Sequence, residues 1–199
     1  MLRYFMKKAL GHPLLFKPRV VICVPSSVTN VERRAVIEAA MQAGASKTVV
    51  MEEPLAAAIG AGLDIASSNG SMVVDMGGGT TDIAILSLSG VVISESLRIG
   101  SNTFDEAIKQ YLARFKHIAV GNHTAEEVKI LICTALPDGR RLTADVRGRS
   151  TETGLPMMTD VDSQEICKAL DEPLQTILQS IVSILEKTPP ELAADIADH

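Results

Sequence analysis

The 199-residue sequence has no tryptophan, and only 3% of its residues are aromatic, although 46% are hydrophobic. A buried core must therefore be built mainly from aliphatic side chains and methionine. There are only three cysteines, and they are widely spaced: Cys23, Cys133 and Cys167. This pattern favours buried thiols in a reducing compartment over a disulfide framework or a zinc cluster.

Long hydrophobic runs are also missing. No apolar stretch approaches the roughly 18 residues that span a bilayer, and the basic start with Lys7 and Lys8 lacks the apolar stretch of a signal peptide. The formal net charge is −5, without a block of like charges, so nothing indicates a nucleic acid partner. We expect a globular, cytoplasmic chain that is neither secreted nor transmembrane.

Short apolar runs bounded by turn residues predict the strands. The continuous run at 19–24 is typical of a strand covered on both faces. Three runs separated by a glycine-rich turn and by Ser89-Gly90 predict an antiparallel meander. The expected strands are residues 19–24, 48–51, 71–75, 81–88, 91–98 and 141–149.

Helix starts are predicted where a capping side chain is followed three residues later by an acid. The four pairs are Thr29 with Glu32, Asn102 with Asp105, Thr124 with Glu127, and Asp162 with Glu165. The expected helices run from Thr29 to near Gly44, over 102–115 and 124–136, and as one long helix from 162 to Pro189. Another opens at Glu52-Glu53-Pro54, where acids and proline suit a first turn.

A chemical role is indicated most strongly by the sequence DMGGGTTD, which begins at Asp75 between two apolar strands. Gly77, Gly78 and Gly79 permit positive backbone dihedrals and leave backbone N–H groups open to a phosphate chain. Thr80 adds a hydroxyl, and Asp75 is suited to a hydrated Mg²⁺ ion. An ordinary turn would also explain the glycines, so the motif leaves both interpretations open.

Glu53 begins a predicted helix about twenty residues before this motif. A carboxylate in that position is able to orient a water molecule for attack on a phosphoryl group. It would equally stabilise the helix N-terminus, by about 0.3–1 kcal/mol. The residue types alone do not separate these two roles.

Together, EEPLAAAIGAG and DMGGGTTD resemble the superfamily of actin, sugar kinases and heat-shock chaperone ATPases. The longer runs VVICVPSSVTNVERRAVIEAAMQAGASKTVVMEEPLAAAIGAGL and GSMVVDMGGGTTDIAILSLSGVV, with the later PPELAADI, are similar to the MreB/Mbl family of rod shape-determining bacterial actins. The resemblance covers essentially the whole chain. It implies an α/β actin-like ATPase fold of the ribonuclease H-like type, with mixed sheets flanked by helices.

The resemblance also implies roles for individual residues. Glu53 matches the glutamate that positions the hydrolytic water, and 77–80 matches the second phosphate hairpin. Asp75 matches the aspartate near the metal, and Gly100 a glycine near the nucleoside. Glu126 and Lys129 match two polar members of a helix that lines the adenosine pocket; without the resemblance they would form a solvated i, i+3 ion pair.

A membrane contact is implied at Leu15 and Phe16, where the family carries an apolar loop that inserts into the membrane. Packing against the neighbouring helix would explain these side chains equally well. Two apolar side chains give little anchoring area, but a filament repeats the contact many times. Lys7, Lys8 and Lys17 would favour an anionic surface.

The sequence departs from the family pattern in several places. Ser101 and Asn102 stand where the family often has Gly and Asp, and Glu127 replaces an arginine beside the adenosine. The Asp-x-Gly-Thr hairpin that the family carries upstream of Met1, and its Gly-Gly-Gly adenosine loop beyond the last residue, are absent. We therefore expect a fragment with a partial site and poor ATP hydrolysis.

Three subdomains follow from the resemblance. Residues 1–65 would form the remainder of the first actin-like subdomain with a connecting helix. Residues 66–101 and 161–199 would form the second core subdomain with the phosphate hairpin. Residues 102–160 would be a small inserted subdomain that lines the adenosine pocket.

The function implied is that of an ATP- and Mg²⁺-binding cytoskeletal protein that polymerises with itself at the inner face of the cytoplasmic membrane. Its filaments would determine rod shape and guide the cell-wall synthesis machinery. One alternative is a nucleotide-deficient protomer that acts only as a filament-binding module. Another is the ATPase domain of a heat-shock chaperone, although no peptide-binding domain is present.

Overall fold

The computed structural model describes residues 1–10, 17–136, 139 and 141–198. It contains two compact units. Unit 1 comprises Met1–Asp75, Asp82–Ser96 and Ile184–His199, and unit 2 comprises Met76–Thr81 and Leu97–Ser183. The assignment of three subdomains stays a prediction.

Helices and strands alternate along most of the chain. In order, the elements are α1 (Leu2–Leu10), β1 (Arg19–Val24), α2 (Asn30–Ala43), β2 (Lys47–Glu52), α3 (Glu53–Gly60), β3 (Ser71–Met76), β4 (Thr81–Ser87), β5 (Gly90–Leu97), α4 (Ser101–Phe115), β6 (Ile118–Ala119), α5 (Asn122–Ile132), β7 (Thr143–Ser150), β8 (Pro156–Asp162), α6 (Ser163–Ala169), α7 (Asp171–Lys187) and α8 (Pro190–Asp198).

In unit 1, β1 and β2 pair in parallel, from Arg19 opposite Lys47 to Val24 opposite Glu52. The strand expected at 19–24 is therefore present. It is not covered on both faces, because Val21 is 60% exposed while Val24 is buried. Among the described residues this sheet has two strands, and one face of β1 is open, since Arg19, Val21 and Cys23 are exposed.

Helix α2 has the capping box that its sequence predicts. Thr29 N donates to Glu32 Oε2 at 2.9 Å, and Glu32 N donates to Thr29 Oγ1 at 3.3 Å. The helix ends at Gly44, whose φ of 116° requires glycine, and Gly44 N donates to the carbonyls of Ala40 and Met41. Local sequence thus determines both ends of α2.

Strands β3, β4 and β5 form a second sheet in that order. Their connections are too short for parallel neighbours, which supports the predicted antiparallel meander. The turn between β4 and β5 differs from the prediction: Leu88 and Ser89 have φ of 50° and 60°, while Gly90 already belongs to β5. Leu88 N and Ser89 N donate to the carbonyls of Ser67 and Ile65, which hold the two residues in this conformation.

Unit 2 has an antiparallel sheet in the order β6-β7-β8. The sequence did not predict β6, which has two residues, or β8, which begins at a proline. Their buried side chains form one core with helices of the same unit. Its fully buried or nearly fully buried members include Ile108, Leu112, Ile118, Val146, Val161, Ile166 and Leu170.

The single long helix expected from 162 onward is instead divided into α6 and α7 at Leu170. Leu170 is buried, and its N–H donates to the carbonyls of Ile166 and Cys167. Pro173 has no N–H and suits the first turn of a helix rather than its interior. The Asp171-Glu172-Pro173 sequence is therefore the start of a separate helix.

Two of the four predicted caps are wrong. Helix α4 begins at Ser101 with Gly100 as its cap, and α5 begins at Asn122 with Gly121 as its cap. The acids assigned to these caps have other partners: Asp105 forms an ion pair with Lys129, and Glu127 Oε2 lies 3.3 Å from His123 Nδ1.

The cap at Asp162 is confirmed, with Gln164 N and Glu165 N each donating to it at 3.0 Å. Arg141 donates two further hydrogen bonds to Asp162 Oδ2, at 2.9 and 2.6 Å. These contacts hold the pKa of the Asp162 carboxyl below its usual value.

The cysteines are less buried than expected. Cys23 and Cys133 are exposed, and Cys167 is half-buried; one face of β1 is open at Cys23, and Cys133 follows the end of α5. Within the described ranges, every helix is too short or too polar to cross a membrane.

We predict that Thr29→Ala destabilises the fold by about 1 kcal/mol, because the first turn of α2 loses its cap. Thr124→Ala is the matched control, since Thr124 belongs to a predicted cap that α5 does not use. Thr124→Ala should lower the free energy of unfolding by less than half as much as Thr29→Ala does. Urea unfolding of both variants measures the difference, and equal losses would contradict the assigned caps.

Candidate functional site

The glycine-rich segment of unit 2 is a closed hairpin with free donors. Gly77 N donates to Thr80 O at 2.9 Å. The N–H groups of Gly78, Gly79 and Thr80 donate to no other described residue. Successive free backbone N–H groups are suited to binding an anion such as a phosphate.

The structure changes the reason for the glycines. None of Gly77, Gly78 and Gly79 has a positive φ, so the expected positive dihedrals are wrong. A Cβ on Gly79 would meet nothing within 4 Å, and one on Gly78 would lie 3.7 Å from the Asn102 side chain. The protein itself leaves room for side chains here, and their absence keeps the backbone donors accessible.

The first residues of α4 donate hydrogen bonds to the carbonyl groups of this hairpin. Ser101 N donates to Gly77 O at 3.0 Å, and Asn102 N donates to Gly78 O at 2.8 Å. Gly100 lies so close to the hairpin that a Cβ added to it would be 2.7 Å from each of these two carbonyl oxygens. Gly100 is therefore next to the hairpin, where any larger residue would collide with backbone.

Lys129 is fastened to the same end of α4. Its Nζ lies 2.7 Å from Asp105 Oδ1 and donates to Ser101 Oγ at 2.6 Å and Ser101 O at 3.2 Å. Lys129 thus donates two hydrogen bonds to Ser101, and its charge is balanced by Asp105. Glu126 is exposed and forms no ion pair among the described residues, so the solvated Glu126–Lys129 pair is not formed.

Unit 1 carries the predicted catalytic glutamate. Partial burial raises the pKa of the Glu53 carboxyl, and the negative charges of Asp82 and Asp75 raise it further. The carboxylate of the adjacent Glu52 instead forms an ion pair with Arg33, with 3.5 Å between Glu52 Oε1 and Arg33 Nη2. Of the two neighbouring glutamates, Glu53 is the one that shares a negative environment with Asp75.

Asp82 was not among the predicted site residues. It is 1% exposed and accepts a hydrogen bond of 3.3 Å from Ser26 N. The sequence does contain a signal for Asp82, which is the last residue of DMGGGTTD and lies in a predicted strand. An acidic residue is unusual in a buried strand.

Glu53 lies near two further acidic residues. The negative charges of Asp82 and Asp75 both act on the Glu53 carboxyl. Among the described residues, no group of three or more His, Cys, Asp or Glu residues is arranged to hold a metal by itself. A Mg²⁺ ion that keeps its waters and takes one carboxylate does not require such a group.

The predicted membrane residues, Leu15 and Phe16, lie outside the described residues. The preceding helix α1 is described and has no buried residue. Its aromatic side chains are accessible, with Tyr4 63% and Phe5 56% exposed. Lys7 and Lys8 lie in its last turn.

Comparison with known proteins identifies the family. The family model described as MreB/Mbl protein matches residues 1–199. The cell shape-determining protein MreB of Escherichia coli (strain K12) is 47% identical over 200 residues, covering all of this chain and 58% of that protein. The cell shape-determining protein Mbl of Bacillus subtilis (strain 168) is 43% identical over 199 residues, covering all of this chain and 60% of that protein.

Solved structures agree with this assignment. MreB5 of Spiroplasma citri bound to ADP has a TM-score of 0.91 and 34% identity, over 98% of this chain and 58% of that one. MamK in a double helical filament shares the fold, with a TM-score of 0.75 and 24% identity. The match covers 98% of this chain and 57% of the MamK chain. The expected actin-like fold is confirmed, and this chain, which spans about 58–60% of the length of its curated relatives, belongs to the MreB/Mbl family.

Proposed function

We propose that this chain is part of an ATP-binding, actin-like cytoskeletal protein whose filaments determine cell shape. The observation that carries the proposal is the hairpin with three successive free N–H donors at Gly78, Gly79 and Thr80. The curated relatives are cell shape-determining proteins, and the Spiroplasma citri relative was solved with ADP. An adenine nucleotide is therefore the ligand that suits these donors best.

Most of the predicted site residues have a defined task in this proposal. The free N–H groups of 78–80 bind phosphate oxygens, and Gly100 keeps the hairpin against α4. Lys129 holds the first residue of α4 and so acts on the phosphate site indirectly. Asp75 would hold Mg²⁺, which neutralises phosphate charge when bound.

Glu53 orients the attacking water through its carboxylate oxygens. Its pKa is raised, which makes the carboxylate a better proton acceptor than an ordinary glutamate. Hydrolysis at the γ-phosphate is coupled to filament turnover in this proposal, through changes in the nucleotide-bound conformation.

We also propose that the filament lies on the inner face of the cytoplasmic membrane and directs the cell-wall synthesis machinery. Helix α1 supports the membrane contact, because accessible Tyr4 and Phe5 occur in one helix with Lys7 and Lys8. Aromatic and basic side chains suit the interface of an anionic bilayer. Repetition of a weak contact along a filament would strengthen binding.

We expect Gly79→Val and Gly78→Val to weaken binding of a fluorescent ATP analogue at least tenfold, because a side chain blocks the open donors. The space around these positions predicts that both variants fold. Gly90→Ala is the matched control, since its Cβ would meet only Ser87 O at 3.7 Å. Unchanged binding by both valine variants would refute the phosphate site, and no binding by folded wild-type chain would favour a nucleotide-free filament-binding module.

Glu53→Gln should lower the rate of ATP hydrolysis at least 100-fold, the range for a lost proton acceptor, and leave nucleotide binding within threefold. Glu52→Gln is the neighbouring control and should retain hydrolysis. Single-turnover assays at saturating ATP measure both effects. A hydrolysis rate for Glu53→Gln within fivefold of the wild-type rate would remove Glu53 from the mechanism.

The same Glu53→Gln variant should change stability with pH. Because the folded-state pKa of Glu53 is raised, its ionised form opposes folding above that pKa, and this cost vanishes at acid pH where both states are protonated. The variant should have a higher Tm than wild type at pH 7, the difference should shrink as the pH falls through the raised folded-state pKa, and it should be gone below the unfolded-state value of about 4.3. A Tm difference that is independent of pH would contradict the raised pKa.

Tyr4→Ser combined with Phe5→Ser should reduce sedimentation with phosphatidylglycerol vesicles at least tenfold, because each aromatic that leaves water contributes about 1.5–3 kcal/mol. Phe115→Ser is the control, as Phe115 is 57% exposed in unit 2. Binding to phosphatidylcholine vesicles should be weaker and less sensitive to salt. Equal losses in both variants would show a nonspecific apolar effect instead.

A further inference from the structure

Two of the three thiols belong to one neighbourhood of unit 2. Cys133 directly follows α5, Cys167 lies in α6, and the two helices are in contact. The Sγ atom of Cys167 lies 3.6 Å from the carbonyl oxygen of Ala135, two positions after Cys133. Although the cysteines are 34 positions apart in the sequence, the Cys167 thiol rests against the segment that carries Cys133.

Both thiols are accessible to reagents. Cys133 is exposed, Cys167 is half-buried, and both are unbridged. Surrounding protein raises the pKa of the Cys133 thiol, Lys129 lowers it, and the charge of Cys167 raises it.

Open space adjoins the Cys167 side chain. Cys167, Ala135 and Leu136 line a cavity of about 580 Å³ together with residues of α6 and α7. Most of the lining is apolar, with Leu174, Ile177 and Leu178 on the α7 side. A small oxidant has room to reach the sulfur, and the neighbouring segment is not held by dense packing on this side.

We propose that Cys133 and Cys167 are a redox-active thiol pair that a hydroperoxide converts into an intramolecular disulfide. This differs from a permanent structural disulfide, and it fits the reducing compartment in which such bonds are transient. The proposal does not depend on nucleotide binding.

The chemistry proceeds in two balanced steps. The Cys167 thiolate attacks hydrogen peroxide, an S–O bond forms, the O–O bond breaks, and the departing hydroxide takes up a proton to become water. The Cys133 sulfur then attacks the Cys167 sulfenic acid, an S–S bond forms, the S–O bond breaks, and a second water leaves. The two sulfurs lose two electrons in total, and the peroxide gains them.

The product would join the segment after α5 to α6 and fix one wall of the cavity. A small-molecule thiol would reverse the bond by exchange. Because the cross-link closes a loop in the unfolded chain, oxidised protein should have a Tm several degrees higher than reduced protein.

The experiment treats the full folded chain with hydrogen peroxide, alkylates the remaining thiols and maps the peptides by mass spectrometry. We expect one bridged peptide that contains Cys133 and Cys167 and is two hydrogens lighter, while Cys23 remains alkylated. The rate should not change over a tenfold dilution of the protein, because the partner thiol belongs to the same molecule.

Single substitutions separate the steps. Cys23→Ser should form the bridge at the wild-type rate. Cys133→Ser should accumulate a sulfenic acid on Cys167 that dimedone traps, and Cys167→Ser should form no intramolecular bridge. Bridges that include Cys23 in folded protein, disulfide-linked dimers as the main product, or the same mixture of bridges from guanidinium-unfolded chain would overturn the proposal.

Discussion

The conformation of the glycine-rich hairpin depends on two hydrogen bonds from the first turn of α4. Ser101 N and Asn102 N donate to the carbonyls of Gly77 and Gly78, so the hairpin keeps its N–H groups free. The first N–H groups of a helix have no partner within the helix, and here the hairpin supplies acceptors. The start of α4 therefore holds the carbonyl groups of the hairpin in place.

Gly100 makes this arrangement possible by its lack of a side chain. A Cβ at this position would overlap both hairpin carbonyls, which would break the two hydrogen bonds. Lys129 adds a second constraint, because its contacts with Ser101 and Asp105 tie α5 to the start of α4. With its charge paired and 14% of its side chain exposed, Lys129 is a positioning residue for the hairpin.

Local signals were reliable where the chain satisfies its own polar groups. The Thr29–Glu32 and Asp162–Glu165 boxes and the end of α2 at Gly44 follow from neighbouring residues alone. The same pattern failed at α4 and α5, because Asp105 and Glu127 pair with a lysine and a histidine instead. Strand β6 gave no signal, since two residues carry no periodicity, and its partner β7 determines it.

The sequence by itself determined the order of most elements and singled out the glycine-rich hairpin, while the fold class followed from its resemblance to a known family. The first two features depend on short patterns of apolar residues, caps and glycines that act over a few positions. Only the tertiary structure decided why the glycines are there, which groups Lys129 contacts, that Asp82 is buried near Glu53, and that the Cys167 thiol lies against the segment that follows Cys133. Each of these depends on residues far apart in the chain, whose approach is fixed by packing and hydrogen bonding that no local pattern encodes.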